Sequence, residues 1–222
     1  MSSDLVGLLV KGTIETLYMV SISTVIALSI GLILGIILVV TGKGGIYPLP
    51  IFSKILGTLI NVVRSFPGMI LIIILLPVAR AIVGTSLGTN AAIVSISIGT
   101  APFIARVVES SLKEIGYGKI EAAESMGASP VQIVTKVLIP ETLPSIIRGV
   151  TLSIITIISF TALAGAIGAG GVGSLAIRYG YERFRTDVLI GTVIILIVLV
   201  QFVQLSGDFI ARQINKKRFN FE

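Results

Sequence analysis

The sequence predicts an all-α integral membrane protein, and three observations carry that reading. Apolar residues make up 54% of the 222 residues and charged residues only 13%, about half the charged share of a soluble domain. Mean hydropathy is +1.04, more than the surface of a water-soluble fold tolerates. The charges that remain leave long uncharged stretches between them. In lipid every backbone N–H and C=O needs an internal partner, which makes such stretches helices.

The first stretch, Leu17 to Val40, holds 24 residues. As a helix it is about 36 Å long, enough to cross a hydrocarbon core of about 30 Å with some tilt. It is too long for a signal-peptide core, and nothing after it reads as a cleavage site, so a retained helix is expected. Ser65 to Ala79, extended back past Arg64 to Ile55, is the second span. Ala81 to Ala105 is the third, its helical part starting near Thr89. Gly149 to Ile177 is the fourth, longer than one crossing needs. Val188 to Gly207 is the fifth and the most uniformly aliphatic. The expected layout is one transmembrane domain over 1–222. Its spans lie at about 14–41, 55–79, 89–110, 145–168 and 187–210, with a loop at about 111–142.

Five spans put the termini on opposite sides, and Lys/Arg gather inside. With the C-terminus in, the inner set is Lys43, Lys54, Arg106, Lys113, Lys119, Lys136, Arg148, Arg212, Lys216, Lys217 and Arg218. The outer set is Lys11, Arg80, Arg178, Arg183 and Arg185, and Arg64 lies within a span. Eleven against five favours N-out, C-in, although Arg178, Arg183 and Arg185 form a cluster on the outside for which the sequence offers no role. The net charge of +6 therefore reads as inner-face charge rather than a nucleic-acid surface.

Gly31 and Gly35 form a G-x-x-x-G, which favours close helix packing. Pro67, Pro77 and Pro102 interrupt spans two and three, and such breaks are tolerated where protein or a water-filled cavity satisfies the backbone. They coincide with Arg64 and Arg106 near one membrane boundary. These two arginines suit either an inner vestibule, pairing with acids such as Glu109, or interfacial snorkelling.

The chain contains no His and no Cys, which excludes His-based triads, Cys nucleophiles, thiolate or imidazole metal sites and disulfides. Gly84-Thr85-Ser86-Leu87-Gly88 matches the G-x-S-x-G elbow, but its serine has no histidine base, so it reads as a turn between spans two and three. Gly168 to Gly173 matches G-x-G-x-x-G without the strand, amphipathic helix and acid that a dinucleotide site needs. It reads as a flexible or closely packed end of span four. No G-x-x-x-x-G-K-[ST] is present, so any ATP is used by a partner.

The loop from Arg106 to Arg148 specifies helix, glycine turn, helix. Lys119 to Met126 is rich in helix formers. Gly127 stands where a left-handed cap would sit. Ser129, Pro130 and Gln132 form an N-cap, a first-turn proline and a capping box. The second helix runs into Pro140 and Pro144, which open the fourth span. A knob carrying Glu121 and Glu124 suits docking into a partner, and equally a helix pair lying on lipid headgroups.

Glu121-Ala122-Ala123, Gly127 after three more residues, and then Val137-Leu138-Ile139-Pro140 resemble the EAA loop of bacterial ABC importer permeases. Val137 and Ile139 replace the commoner Ile and Leu. Arg64-Ser65-Phe66-Pro67, Ile82 to Gly88, Ala101-Pro102-Phe103-Ile104-Ala105-Arg106, Ala162 to Gly173 and Tyr179-Gly180-Tyr181 are similar to the methionine ABC importer permeases, the MetI family. The similarity runs from about residue 8 to residue 212.

The resemblance implies a type I ABC importer permease of five transmembrane helices, whose cytoplasmic helix–turn–helix is the coupling helix that enters a cleft on an ATPase. Its coupling residues would be Glu121, Ala122, Ala123, Met126, Gly127, Ala128 and Val131, with Glu121 offering its carboxylate to the ATPase or stabilising its own helix start. Phe160, Leu163, Ala164, Gly165 and Ile167 are the pore or gate candidates, and Arg64 and Arg106 the vestibule candidates. The family often has Met where Leu163 stands; Leu keeps bulk and apolarity but not the thioether. The expected assembly in a bacterial cytoplasmic membrane is a C2 homodimer with two ATPase subunits and an extracellular or periplasmic methionine-binding protein or lipoprotein. ATP and Mg would be bound by the ATPase, with no cofactor on this chain. A permease for another small solute and an ATP-independent channel or carrier are the alternatives. The latter usually places carboxylates on an ion path, whereas Glu15 and Asp208 lie at span ends.

Overall fold

The computed structural model describes residues 3–219, and among them there is no strand. The helices are α1 Ser3–Thr41, α2 Pro50–Arg64, α3 Gly68–Val83, α4 Thr89–Leu112, α5 Tyr117–Ser125, α6 Pro130–Ile133, α7 Ile139–Gly165, α8 Gly171–Leu175 and α9 Thr186–Phe219. Two π-helical segments, Val134–Leu138 and Ala176–Tyr181, join α6 to α7 and extend α8. Four stretches are long and apolar enough to cross a membrane: Asp4–Thr41, Thr89–Leu112, Pro130–Gly165 and Thr186–Lys216. Helices α2 and α3, bent at a short break, make a fifth if taken as one span. Of the inner-set cations, the side chains of Lys217 and Arg218 lie outside the described residues.

The second span is thus not one helix. Helix α2 stops at Arg64, where the Ser65 N–H donates to the carbonyls of Asn61 (3.0 Å) and Val62 (3.1 Å) and the Ser65 hydroxyl donates to the Asn61 carbonyl at 2.8 Å. Pro67 disfavours helical backbone at Phe66 and caps the start of α3. Pro77 and Pro102, by contrast, lie inside α3 and α4 without breaking them. Around Pro102 the buried Ala101, Ile104 and Ala105 hold the helix in packed protein, where a missing ladder bond is tolerated. Pro140 does not open the fourth span either, because that helix starts at Pro130. The π turn before Pro140, closed by the Ile139 N–H on the Val134 carbonyl, accommodates the ring within a continuous helix.

The helices also run past the uncharged stretches, so Glu15 and Asp208 lie inside α1 and α9 rather than at span ends, and Glu109 lies inside α4. Between α3 and α4, Gly84 is the left-handed cap of α3 and Gly88 also has positive φ, giving the turn expected at the G-x-S-x-G match.

The chain divides into two compact units. The first comprises Met1–Ala27, Phe66–Thr100 and Ser153–Gln204. Here the Ser23 hydroxyl donates to the Ile93 carbonyl at 3.5 Å, the Tyr18 hydroxyl donates to Asn90 Oδ1 at 3.2 Å, and Leu5, Leu9 and Val188 form a buried cluster. The second unit comprises Leu28–Ser65, Ala101–Leu152 and Leu205–Glu222. Its seam is the G-x-x-x-G. A Cβ at Gly35 would lie 2.7 Å from the Ala105 carbonyl oxygen, and one at Gly31 2.5 Å from the Ile104 side chain. The two glycines therefore let α1 approach α4 at backbone distance, beside the buried cluster of Leu38, Ile60 and Ala105.

Candidate functional site

In the second unit, α5 and α6 form a knob whose backbone is fixed at every bond the turn needs. The Ala128 N–H donates to the Ala123 carbonyl at 3.1 Å and the Gly127 N–H to the Glu124 carbonyl at 2.9 Å. With Gly127 at φ +78°, this is a Schellman cap. The capping box then starts α6. Gln132 N–H donates to Ser129 Oγ at 3.4 Å and Ser129 N–H to Gln132 Oε1 at 2.8 Å, with Pro130 in the first turn. Ala123 and Ile133 are buried beneath, and Lys119 Nζ reaches Glu141 Oε2 on α7 at 2.5 Å.

What this frame presents is apolar. Met126 is 82% exposed and Val131 71%, with Tyr117 also exposed and Glu121, Ala122 and Glu124 around them. Of the coupling candidates, Glu121, Ala122, Met126 and Val131 therefore face outward, whereas Ala123, Gly127 and Ala128 build the turn. Glu121 sits one turn beyond the start of α5, which has no acid in its first turn. Its carboxylate is thus outside the region where a helix start draws anions.

Arg106 is held by three partners. Nη1 pairs with Glu109 Oε2 at 2.5 Å, Nε donates to Asn61 Oδ1 at 3.1 Å and Nη2 to the Gly57 carbonyl at 2.7 Å. Lys113 Nζ takes the other Glu109 oxygen at 2.7 Å. Glu109 is thus the acid that pairs with Arg106, and two further bonds tie the guanidinium to α2. Arg64 lies with its guanidinium 6.0 Å from the Phe103 ring centroid, near the limit of a cation–π contact.

In the first unit, the five pore candidates separate. Ala164 and Gly165 are buried. A Cβ on Gly165 would run into the Ser174 amide nitrogen, and the Ala164 carbonyl accepts from Ile167 (3.0 Å) and Ala169 (3.1 Å). Leu163 is 39% exposed, with Phe160 one turn earlier on α7 and Ile167 in the turn just past the helix end, both half-buried. These three alone present side chains outward. The glycine run beyond them is a closely packed turn. Gly170 and Gly171 have φ of +86° and +76°, and the Gly168 carbonyl accepts from the Gly88 N–H at 3.0 Å.

Glu15 and Thr16 on α1 hold this turn, a role the sequence reading missed. Glu15 Oε2 accepts the Gly171 N–H at 2.7 Å and Thr16 Oγ1 the Val172 N–H at 2.9 Å, meeting the first donors of α8. An acid set just inside an apolar run was the signal available for it. The arginines at 178–185 also gain local partners. Arg183 lies 4.7 Å from the Tyr179 ring centroid, and Arg185 Nη2 pairs with Asp187 Oδ2 at 2.7 Å.

Residues 27–220 match the family described as the binding-protein-dependent transport system inner membrane component. The chain is 45% identical over 210 residues to a probable D-methionine transport system permease protein MetI of Vibrio cholerae, covering 95% of this chain and 93% of that one. It is 44% identical over 207 residues to the methionine import system permease protein MetP of Bacillus subtilis, covering 93% of each. It superposes with TM-score 0.94 and 42% identity on a chain of the MetNI methionine ABC transporter in an inward-facing conformation, covering 96% of this chain and 99% of that one. With no nucleotide-binding motif of its own and a likeness that spans almost its whole length, the chain belongs to the binding-protein-dependent transport system inner membrane component family, as a transport subunit and not an enzyme.

Proposed function

We propose that this chain is the pore-forming subunit of an importer for methionine, in its D and L forms, in a bacterial cytoplasmic membrane. The substrate rests on the likeness to permeases and a transporter named for methionine. Five crossings, N-out and C-in, are too few to enclose an amino-acid path. The working unit is therefore a C2 homodimer with the path on its twofold axis. Two ATPase subunits bind ATP and Mg on the inner side, and a binding protein delivers substrate outside.

The observation that carries the mechanism is the knob, with Met126 and Val131 exposed on a turn locked by a Schellman cap and a capping box. Such a surface suits a hydrophobic cleft on the ATPase, with Glu121 and Glu124 at its rim. Closure of the ATPase dimer moves the knob as a rigid body, and α4 and the helix beginning at Pro130 move with it. Leu163, flanked by Phe160 and Ile167, is the apolar gate. No charged side chain lies in 160–173, so selectivity rests with the binding protein.

Affinity purification of the chain from its native membrane tests the reading. An ATPase and a methionine-binding protein should come with it, and methionine should stimulate ATP hydrolysis by the reconstituted complex. Stimulation by a different solute and not by methionine would reassign the substrate. Uptake by the purified chain without an ATPase would overturn the mechanism.

A further inference from the structure

The loop after α1 borders an open cavity of about 360 Å³ in the second unit, within the size range of small-ligand sites. Lys43 from that loop, Lys54, Ser53 and Asn61 from α2, and Arg106 and Glu109 from α4 line it. Lys43 also lines a neighbouring cavity of about 180 Å³ with Lys113.

The charges here do not cancel. Both oxygens of Glu109 are taken, one by Arg106 and the other by Lys113. Glu109 is the only carboxylate among the described lining residues, and neither Lys43 nor Lys54 forms an ion pair among the described residues. Arg106 uses one bond at each of its three nitrogens, leaving two of its five N–H donors. The cavity thus combines a fixed guanidinium floor with two ammonium groups at its mouth. It lies where the apolar stretch Asp4–Thr41 ends, the level at which a bilayer places its phosphates.

We propose that this cavity binds a phosphate-bearing anion, with Lys43 and Lys54 closing on its oxygens above Arg106. The headgroup of an anionic phospholipid and free phosphate are the two sources of that chemistry. Occupancy neutralises the two lysines and braces α1 and α2 against α4, the helix that leads into the knob.

Amine labelling of the assembled transporter in nanodiscs tests this, read by mass spectrometry at each lysine. Three conditions are compared: phosphatidylcholine alone, phosphatidylcholine with inorganic phosphate, and phosphatidylcholine with phosphatidylglycerol. Lys11, at the other end of α1, is the internal control for general surface potential. A lipid headgroup site slows labelling of Lys43 and Lys54 about fivefold each in phosphatidylglycerol, the effect of one phosphate–lysine contact near a membrane surface, and leaves Lys11 far less changed. Slowing by inorganic phosphate in the neutral bilayer assigns the site to the free anion. Equal labelling in all three conditions, or slowing of Lys11 to the same extent, overturns the proposal.

Discussion

Replacing Gly127 with alanine isolates the energy of one backbone turn. Gly127 has φ +78°, and a Cβ built there meets nothing within 4 Å. No steric clash contributes, and the cost is that of holding an L-residue in the left-handed region, about 1–2 kcal/mol. At 1.4 kcal/mol per factor of ten, the knob's native turn loses about 5- to 30-fold in population against alternatives in which the Ala123 and Glu124 carbonyls lose their partners. Gly118, on the same helix, supplies the contrast. It too has open space for a Cβ but no positive φ, so Gly118→Ala should be neutral or stabilising by about 0.4–1 kcal/mol. Asn tolerates the left-handed region better than other residues, so Gly127→Asn should retain more function than Gly127→Ala, and Gly127→Val least. The assay is ATPase copurification and substrate-stimulated hydrolysis at matched amounts of membrane-inserted protein. If Gly127→Ala couples as well as Gly118→Ala, or Gly127→Asn fails as completely as Gly127→Val, the conformational account of the knob is wrong.

Met126→Lys and Val131→Lys should each abolish ATPase copurification while shifting thermal unfolding of the permease little, since both side chains are exposed and surface changes cost within about 0.5 kcal/mol. Glu121→Lys should likewise abolish uptake with the protein still inserted, as a charge reversal at the rim of the proposed docking surface. Arg106→Ala leaves Glu109, only 10% exposed, with Lys113 alone and strips partners from Asn61 and Gly57. It should lower stability by about 3 kcal/mol, read as a fall in detergent melting temperature, and Arg106→Lys should recover only part because lysine lacks the fork. Glu15→Ala should raise hydrogen exchange at the Gly171 and Val172 amides roughly tenfold or more, from loss of one charge-assisted bond, with the α5 amides unchanged.

The knob was legible in detail because every device in it is local. Gly127 directly after the helix formers that end at Met126, then Ser129, Pro130 and Gln132, are spacings that chain connectivity enforces, and the observed bonds fall where those spacings put them. The all-helical character of the chain was legible from charge alone, since lipid leaves the backbone few options, but where each helix begins and ends was not. Prolines were read less well. A proline removes one N–H and crowds one turn, and whether the helix breaks depends on neighbours distant in sequence. Pro102 sits among buried side chains and α4 continues, whereas Pro67 follows a capped helix end and the chain turns. The pore candidates failed to separate for a related reason. Ala164 and Gly165 look like Leu163 in composition, but the return of the chain at Gly170–Ser174 covers one side of the helix and not the other. That return is held by Glu15 and Thr16 from 156 residues away in sequence, a pairing that no periodicity announces.

Where the carboxylates go bears on what drives transport. A carrier coupled to an ion gradient needs an acid within the membrane that changes partner or protonation as the cycle turns. Glu109 and Glu15, two acids inside the apolar helices here, have fixed structural partners. Glu109 is shared by Arg106 and Lys113, Glu15 accepts a backbone N–H at the start of α8, and Asp208 is not free either. Releasing Glu109 would leave a guanidinium and an ammonium uncompensated near an apolar core, and releasing Glu15 would leave the first donors of α8 without a carboxylate. Both are losses of structure rather than steps in a cycle. Among the described residues, Glu121 and Glu124 on the knob, and Lys43 and Lys54 at the end of the first span, form no ion pair. Acids that serve structure as Glu109 and Glu15 do offer an ion gradient little to act on, which supports the proposed reading in which a partner ATPase supplies the free energy for transport through the knob.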